Sequence, residues 1–189
     1  MGDLVLAGGT SGTITVTPTA VAGSNTLTLP AATGTILTTA SSGQIIPKAA
    51  LPTGSVLQVV QANYSTNTTN ATSTYADTGL TASITPTSSS SKILVIVAHE
   101  GVLKTASDTK INIKLLRGAT DLTVLANAGA TNSTTTILIG SATFLYLDSP
   151  ATTSNTTYKT QFNSTSNTSY VAVQDSGVPS TITLMEIAA

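Results

Sequence analysis

Cysteine and tryptophan are absent from this chain of 189 residues, histidine occurs once, and charge is scarce, with seven basic and eight acidic side chains. Without cysteine there is no disulfide, no thiolate nucleophile and no zinc-thiolate cluster, and the redox compartment stays open. The single histidine, His99, excludes a metal centre of several imidazoles and a two-histidine relay. A net charge of −1 generates no field that would draw the chain to nucleic acid or to an anionic membrane. The longest strongly apolar run, Ile93 to Ala98, is six residues, against about 20 for a membrane-spanning helix. Neither nucleic acid binding nor membrane insertion is therefore expected. Met1-Gly2-Asp3-Leu4-Val5-Leu6 lacks the basic and long apolar regions of a secretory signal, and Leu6 breaks the myristoylation pattern. Synthesis in the cytoplasm without a signal peptide is the expectation.

Hydroxyls stand where charge would be. The chain holds 39 threonines and 22 serines, so a surface that is ordinarily about a quarter charged has to be wetted by hydroxyls and amides. A hydrophobic fraction of 40% and a mean hydropathy of +0.28 are too apolar for a disordered Ser/Thr tract. β-Branched residues dominate and long amphipathic runs are missing, which predicts an all-β fold. Thr13–Thr17, Thr26–Leu29 and Thr35–Thr38 read as short strands separated by Pro18, Gly23-Ser24-Asn25 and Pro30–Gly34. Residues 1–53 contain two charges, Asp3 and Lys48, and end in a segment carrying Pro47 and Pro52. Prolines so placed disfavour helix and central strand. Residues 1–53 therefore read as a short-stranded N-terminal arm and linker, to be packed against copies of itself or another protein, and residues 54–189 as a distal β-sandwich or jelly-roll-like domain.

In the distal part nine strands are expected: Val56–Tyr64, Leu80–Thr85, Lys92–Leu103, Lys110–Leu116, Leu122–Ala126, Thr136–Asp148, Thr156–Phe162, Tyr170–Gln174 and Thr181–Ile187. Ile111, Ile113 and Leu115 alternate with Asn112 and Lys114, and Arg117–Asp121 turns the chain into Leu122 and Val124, the clearest hairpin. Two strands, through Ile93–Ala98 and through Ile137–Leu147, are apolar on both faces. A sandwich strand normally wets its outer face, so a subunit interface is expected there, for example around a threefold axis; the alternative is cover by a loop or by the N-terminal arm. Ser65–Ser73, Ser88–Ser91, Ala151–Thr157 and Ser164–Ser169 read as polar loops.

The inventory for catalysis is thin. A pair of carboxylates would serve glycoside cleavage, with Glu100, Asp108 and Asp121 as nominal candidates; solvated or turn-capping roles fit Asp108 and Asp121 better. His99 is read at a strand end beside Glu100. No Gly-x-Ser-x-Gly elbow occurs, and Gly8-Gly9-Thr10-Ser11-Gly12-Thr13 lacks the Gly-Lys-Ser/Thr ending of a phosphate loop. No catalytic residue, metal or cofactor is expected. Four of the seven basic residues, Lys104, Lys110, Lys114 and Arg117, cluster in sequence, and alternation puts Lys110 and Lys114 on one face. They are candidates for contact with anionic groups of a bacterial surface glycan or of a lipid head group, against the plainer reading of a solvated strand face. Tyr64, Tyr75, Tyr158 and Tyr170 flank polar loops and read as packing at loop bases.

The run from Gly12-Thr13-Ile14-Thr15-Val16-Thr17-Pro18 through Asn25-Thr26-Leu27-Thr28-Leu29-Pro30-Ala31-Ala32-Thr33-Gly34-Thr35 resembles a segment recurrent in tail-fibre and other virion structural proteins of tailed bacteriophages, notably those of aquatic bacteria. Gly54–Gln61, Ser91–Val95 and the closing Ile182–Ile187 are similar to the distal β-domain of the same group. The resemblance implies a non-enzymatic virion protein, a short homotrimeric fibre displayed for host attachment. Its N-terminal arm would dock onto another virion protein, with Leu27, Leu29, Pro30 and Gly34 as docking candidates. The chain is short and has no coiled-coil shaft, so a capsid head-decoration or cement fibre is the alternative, and a polysaccharide-degrading spike a more distant one.

Overall fold

The computed structural model describes residues 4–7, 13–16, 51–107, 109–126, 128, 138–165 and 169–189. The chain divides into two compact units, Met1–Ile45 and Ile46–Ala189, a division that falls before the position 53 suggested by the prolines. In the first unit β1 (Leu4–Ala7) and β2 (Thr13–Val16) pair antiparallel, Leu4 opposite Val16 and Ala7 opposite Thr13. The expected strands at Thr26–Leu29 and Thr35–Thr38, and the docking candidates Leu27, Leu29, Pro30 and Gly34, lie outside the described residues.

The second unit is all-β, as the composition predicts. Its strands are β3 (Val56–Tyr64), β4 (Thr68–Asn70), β5 (Ala76–Ile84), β6 (Lys92–Lys104), β7 (Ile111–Arg117), β8 (Thr120–Leu125), β9 (Leu138–Asp148), β10 (Thr156–Ser164), β11 (Val171–Val173) and β12 (Ser180–Ile187). They form two antiparallel sheets, one of four strands in the order β5-β10-β7-β8 and one of six. In the larger sheet β6 is the spine. Its first half lies between β12 and β9, its second half between β11 and β9, with β3 beyond β12 and β4 beyond β11. Beyond the nine expected strands is β4, in a stretch read as a polar loop. Thr68, Thr69 and Asn70 offer no apolar alternation and pair only as a short edge on β11.

Alternation places the core. Leu80, Ile84, Leu115 and Tyr158 of the four-stranded sheet meet Ile93, Val95, Val97, Ile182 and Leu184 of the other in one buried cluster. Ile111, Ile113 and Phe162 meet Val102, Val171 and Val173 in a second. Every one of these side chains is at most 2% exposed, and each contributes roughly 2 kcal/mol through burial. The hairpin β7–β8 forms as read, Arg117 opposite Thr120 across Gly118 and Ala119, with Gly118 at φ 57° as such a tight turn requires. Gly79, at φ 86°, carries the Tyr64 ring where a Cβ would sit, which brings β3 against β5 at the side of the sandwich. At the end where the unit begins, Gly54 N–H donates to Ala188 O (2.8 Å) and Ala188 N–H to Ser55 O (2.9 Å). The first and last strands, β3 and β12, therefore lie side by side and antiparallel.

Candidate functional site

The two outer faces of the sandwich differ. On the six-stranded sheet, Ile93, Val95 and Val97 point into the core, so Leu94, Ile96 and Ala98 point outward. The register extends this alternation sideways into rows. Val59, Met185, Leu94 and Leu147 stand abreast across β3, β12, β6 and β9. The next row is Gln61, Thr183, Ile96 and Leu145, and the next Asn63, Thr181, Ala98 and Thr143. Val59 is 56% exposed, Leu145 65% and Leu147 52%; Leu94, Ile96 and Met185 are half-buried by their neighbours in the sheet. No member of these rows is charged. Lys92 and Glu100, also outward on β6, lie beyond the two ends of the rows. The strands read as apolar on both faces, β6 and β9, are thus neighbours, and their second faces join in one aliphatic patch. Sequence reading missed Val59 and Met185; the signal was the adjacent apolar pairs Val59-Val60 and Leu184-Met185, but placing them in the patch requires the register.

The outer face of the four-stranded sheet is wet and charged. Lys159 Nζ lies 2.9 Å from Asp77, Gln161 donates to the same carboxylate at 2.8 Å, and these donors, Lys159 foremost, hold the Asp77 carboxyl below its usual range despite partial burial. Lys114 Nζ sits 2.9 Å from Asp121 and 4.5 Å from the centre of the Tyr75 ring. Of the two basic candidates, Lys114 is therefore engaged within the chain, and Lys110, just before β7, is exposed. Ser83 and Thr157 share a hydroxyl hydrogen bond of 2.7 Å beside them.

Three buried polar ties brace the sandwich; the first two cross between the sheets, and the third fastens β12 and β3 to the loop after β5. His99 lies inside β6 and fully buried, in place of the strand-end position read from sequence. Its Nε2 is 3.0 Å from Thr160 Oγ1, which is 2.6 Å from Thr78 Oγ1. Its Nδ1 is 3.3 Å from Gln174 Nε2, which donates to Ser180 Oγ at 2.8 Å. This chain of neutral groups separates the two apolar clusters, and burial pushes the imidazole down to about 4. In the second tie, Asp148 accepts from Arg117 at 2.8 and 2.7 Å and from the Tyr158 hydroxyl at 2.7 Å. Burial and the carboxylate together push the Tyr158 hydroxyl up. In the third, Glu186 accepts from Gln58 and from the Thr87 backbone and hydroxyl, the latter two at 2.7 Å. Burial works to raise its carboxyl, and these hydrogen bonds outweigh it, so the group is lowered.

Of the nominal carboxylates, Glu100 and Asp121 are not brought together: Glu100 points out of the six-stranded sheet, and Asp121 is paired with Lys114 on the opposite outer face; Asp108 lies outside the described residues. Among the described residues no group of His, Asp and Glu is placed to hold a metal ion, and no helix is long and apolar enough to cross a membrane. Of the tyrosines, Tyr64 and Tyr158 pack inward, Tyr75 lies beneath Lys114, and Tyr170 is 44% exposed. A cavity of about 220 Å³ opens at the end of the sandwich, where Leu57, Thr87, Ser91 and Ala188 line it. The uncharged rows, with their aliphatic patch, remain the feature that the rest of the fold does not use. No protein-family model matches the chain, and no curated protein matches it.

Proposed function

We propose that this chain is a non-enzymatic structural protein of a virion, a short homotrimeric fibre that docks through its N-terminal arm and displays its β-sandwich for attachment to a host cell. The observation that carries the reading is the uncharged aliphatic outer face of the six-stranded sheet, set against a charged outer face on the sheet behind it. A domain alone in water gains nothing from such a face, whereas a subunit of an assembly buries it at roughly 25 cal/mol per Å² of apolar surface. The kind of assembly is supplied by the resemblance of Gly12–Thr35, and of the strands around Val56, Ile93 and Ile182, to tail-fibre and virion structural proteins. Loops rich in Ser, Thr and Asn suit a displayed contact surface, because short side chains lose little rotamer entropy on ordering. Exposed Lys110 adds a cation towards anionic groups of a bacterial surface glycan.

Antibody fragments raised against residues 54–189 test the reading on intact particles. They are expected to decorate the particle surface in electron micrographs and to lower adsorption to host cells. Particles that take no label overturn it. Surface label with undiminished adsorption would replace attachment by decoration of the capsid.

A further inference from the structure

Resting on the trimeric reading above, the geometry points to the face that makes the trimer: the outer rows of the six-stranded sheet line a threefold axis that runs along the strands, with β9 of each copy meeting β3 of the next. The partner is a second and third copy of this chain.

The first argument is the polarity of the rows. Val59, Met185, Leu94 and Leu147 form an apolar row, Gln61, Thr183, Ile96 and Leu145 a mixed one, and Asn63, Thr181, Ala98 and Thr143 a largely polar one. Polarity thus changes along the strands and is even across the apolar row. A twofold axis perpendicular to the strands would lay the apolar row of one copy on the polar row of the other. Sliding the copies until apolar meets apolar would leave the remaining rows uncovered. An axis along the strands keeps every row at its own height and closes each into a layer of like residues. Lys92 and Glu100 then sit at opposite ends of the axis, in water.

The second argument is the width of the face. Four strands spaced about 4.8 Å make a face about 19 Å wide. Three such faces closed into a triangular prism leave about 5.5 Å from each sheet to the axis, close to half of the ~10 Å at which packed sheets stack. Side chains of ordinary size therefore fill the centre without a channel. Both outermost strands carry exposed aliphatic side chains at the corners, Val59 on β3 and Leu145 and Leu147 on β9. In the prism Val59 of one copy meets Leu147 of the next at the same height. Both edges are also uncharged from Val56 to Tyr64 and from Leu138 to Leu147, where unprotected edge strands commonly carry charge against association.

The absence of cysteine makes the test direct. Within one chain Val59 and Leu147 are three strand spacings apart, about 14 Å, beyond the ~7 Å limit for a disulfide. The full-length double variant Val59→Cys/Leu147→Cys is expected to run as a covalent trimer after oxidation and as single chains after reduction. Val59→Cys alone is expected to give no linkage. Leu145→Glu, which lies outside the core between the sheets, is expected to keep its circular dichroism spectrum while its sedimentation mass falls threefold. A wild type that sediments as a trimer, with neither linkage in the double variant nor dissociation by Leu145→Glu, overturns this face and leaves the trimeric fibre standing. A wild type that sediments as a monomer, its face covered by the N-terminal residues or bare, or as a dimer, overturns both.

Discussion

His99 is one residue in a chain with a single imidazole, and the fold puts it where protonation is least welcome. Its hydrogen-bond partners, Thr160 and Gln174, are neutral, and burial lowers the ring from 6.5 to about 4. The unfolded chain takes up a proton near pH 6.5, the folded chain only near 4. Stability attributable to this site is therefore complete above pH 6.5 and is lost as the pH falls towards 4, by about 1.4 kcal/mol per unit. Asp77 and Glu186, both lowered, contribute in the same direction but only below their ordinary values of 3.8 and 4.5. Urea unfolding between pH 6.5 and 4.5 isolates the histidine: the slope is expected in the wild type and largely absent in His99→Gln. Equal slopes would remove His99 from the account. The sequence placed His99 on the right strand but at its end. The expected strand, Lys92–Leu103, already runs past it; β6 continues through a bulge between His99 and Val102 to Lys104, which puts His99 in the strand's interior. Its partners, the Thr160 hydroxyl and the Gln174 amide, carry no local signal in the sequence.

At the scale of elements, the strands were the most legible part, because β-branched alternation and turn residues agree locally along β3, β7, β8 and β12. What could not be read was which strand lies beside which. The apolar doubling of β6 and β9 was visible in Ile93–Ala98 and Phe144–Leu147, while the matching contributions of Val59 and Met185 emerge only when β3 and β12 take their places in the sheet. The same holds for the tie from β9 to β7 and β10. Nothing local to Asp148 announces that Arg117 and Tyr158 converge on it. Tyr158→Phe removes one hydrogen bond and is expected to cost about 1 kcal/mol. Asp148→Ala leaves a fully buried hydroxyl and a part-buried guanidinium without their acceptor, and is expected to cost about 3 kcal/mol. Chemical denaturation of the two variants checks the order, and a larger loss in Tyr158→Phe would show that the carboxylate is not the hub.

For the whole molecule, scarcity of charge turns out to be uneven in space. Asp77, Lys114, Asp121 and Lys159 lie on one outer face, and the other has none between Lys92 and Glu100. Salt screens exposed charge pairs strongly but strengthens or leaves untouched the association of aliphatic surface. Assembly is accordingly expected to be unchanged in sedimentation runs between about 0.05 and 1 M sodium chloride, where screening ranges from weak to nearly complete. Dissociation at high salt would point to the charged sheet as the interface.

The closure of β3 against β12 by Gly54 and Ala188 also decides how the sandwich bears a mechanical load. The chain enters at the base of β3, and β3 runs antiparallel to β12 from Val56 to Tyr64. Tension between the entering segment and the loops at the far end, near Tyr64, pulls β3 lengthwise past its neighbour. The hydrogen bonds of that ladder are then strained together in shear, where a strand entering from the other end would be peeled away one bond at a time.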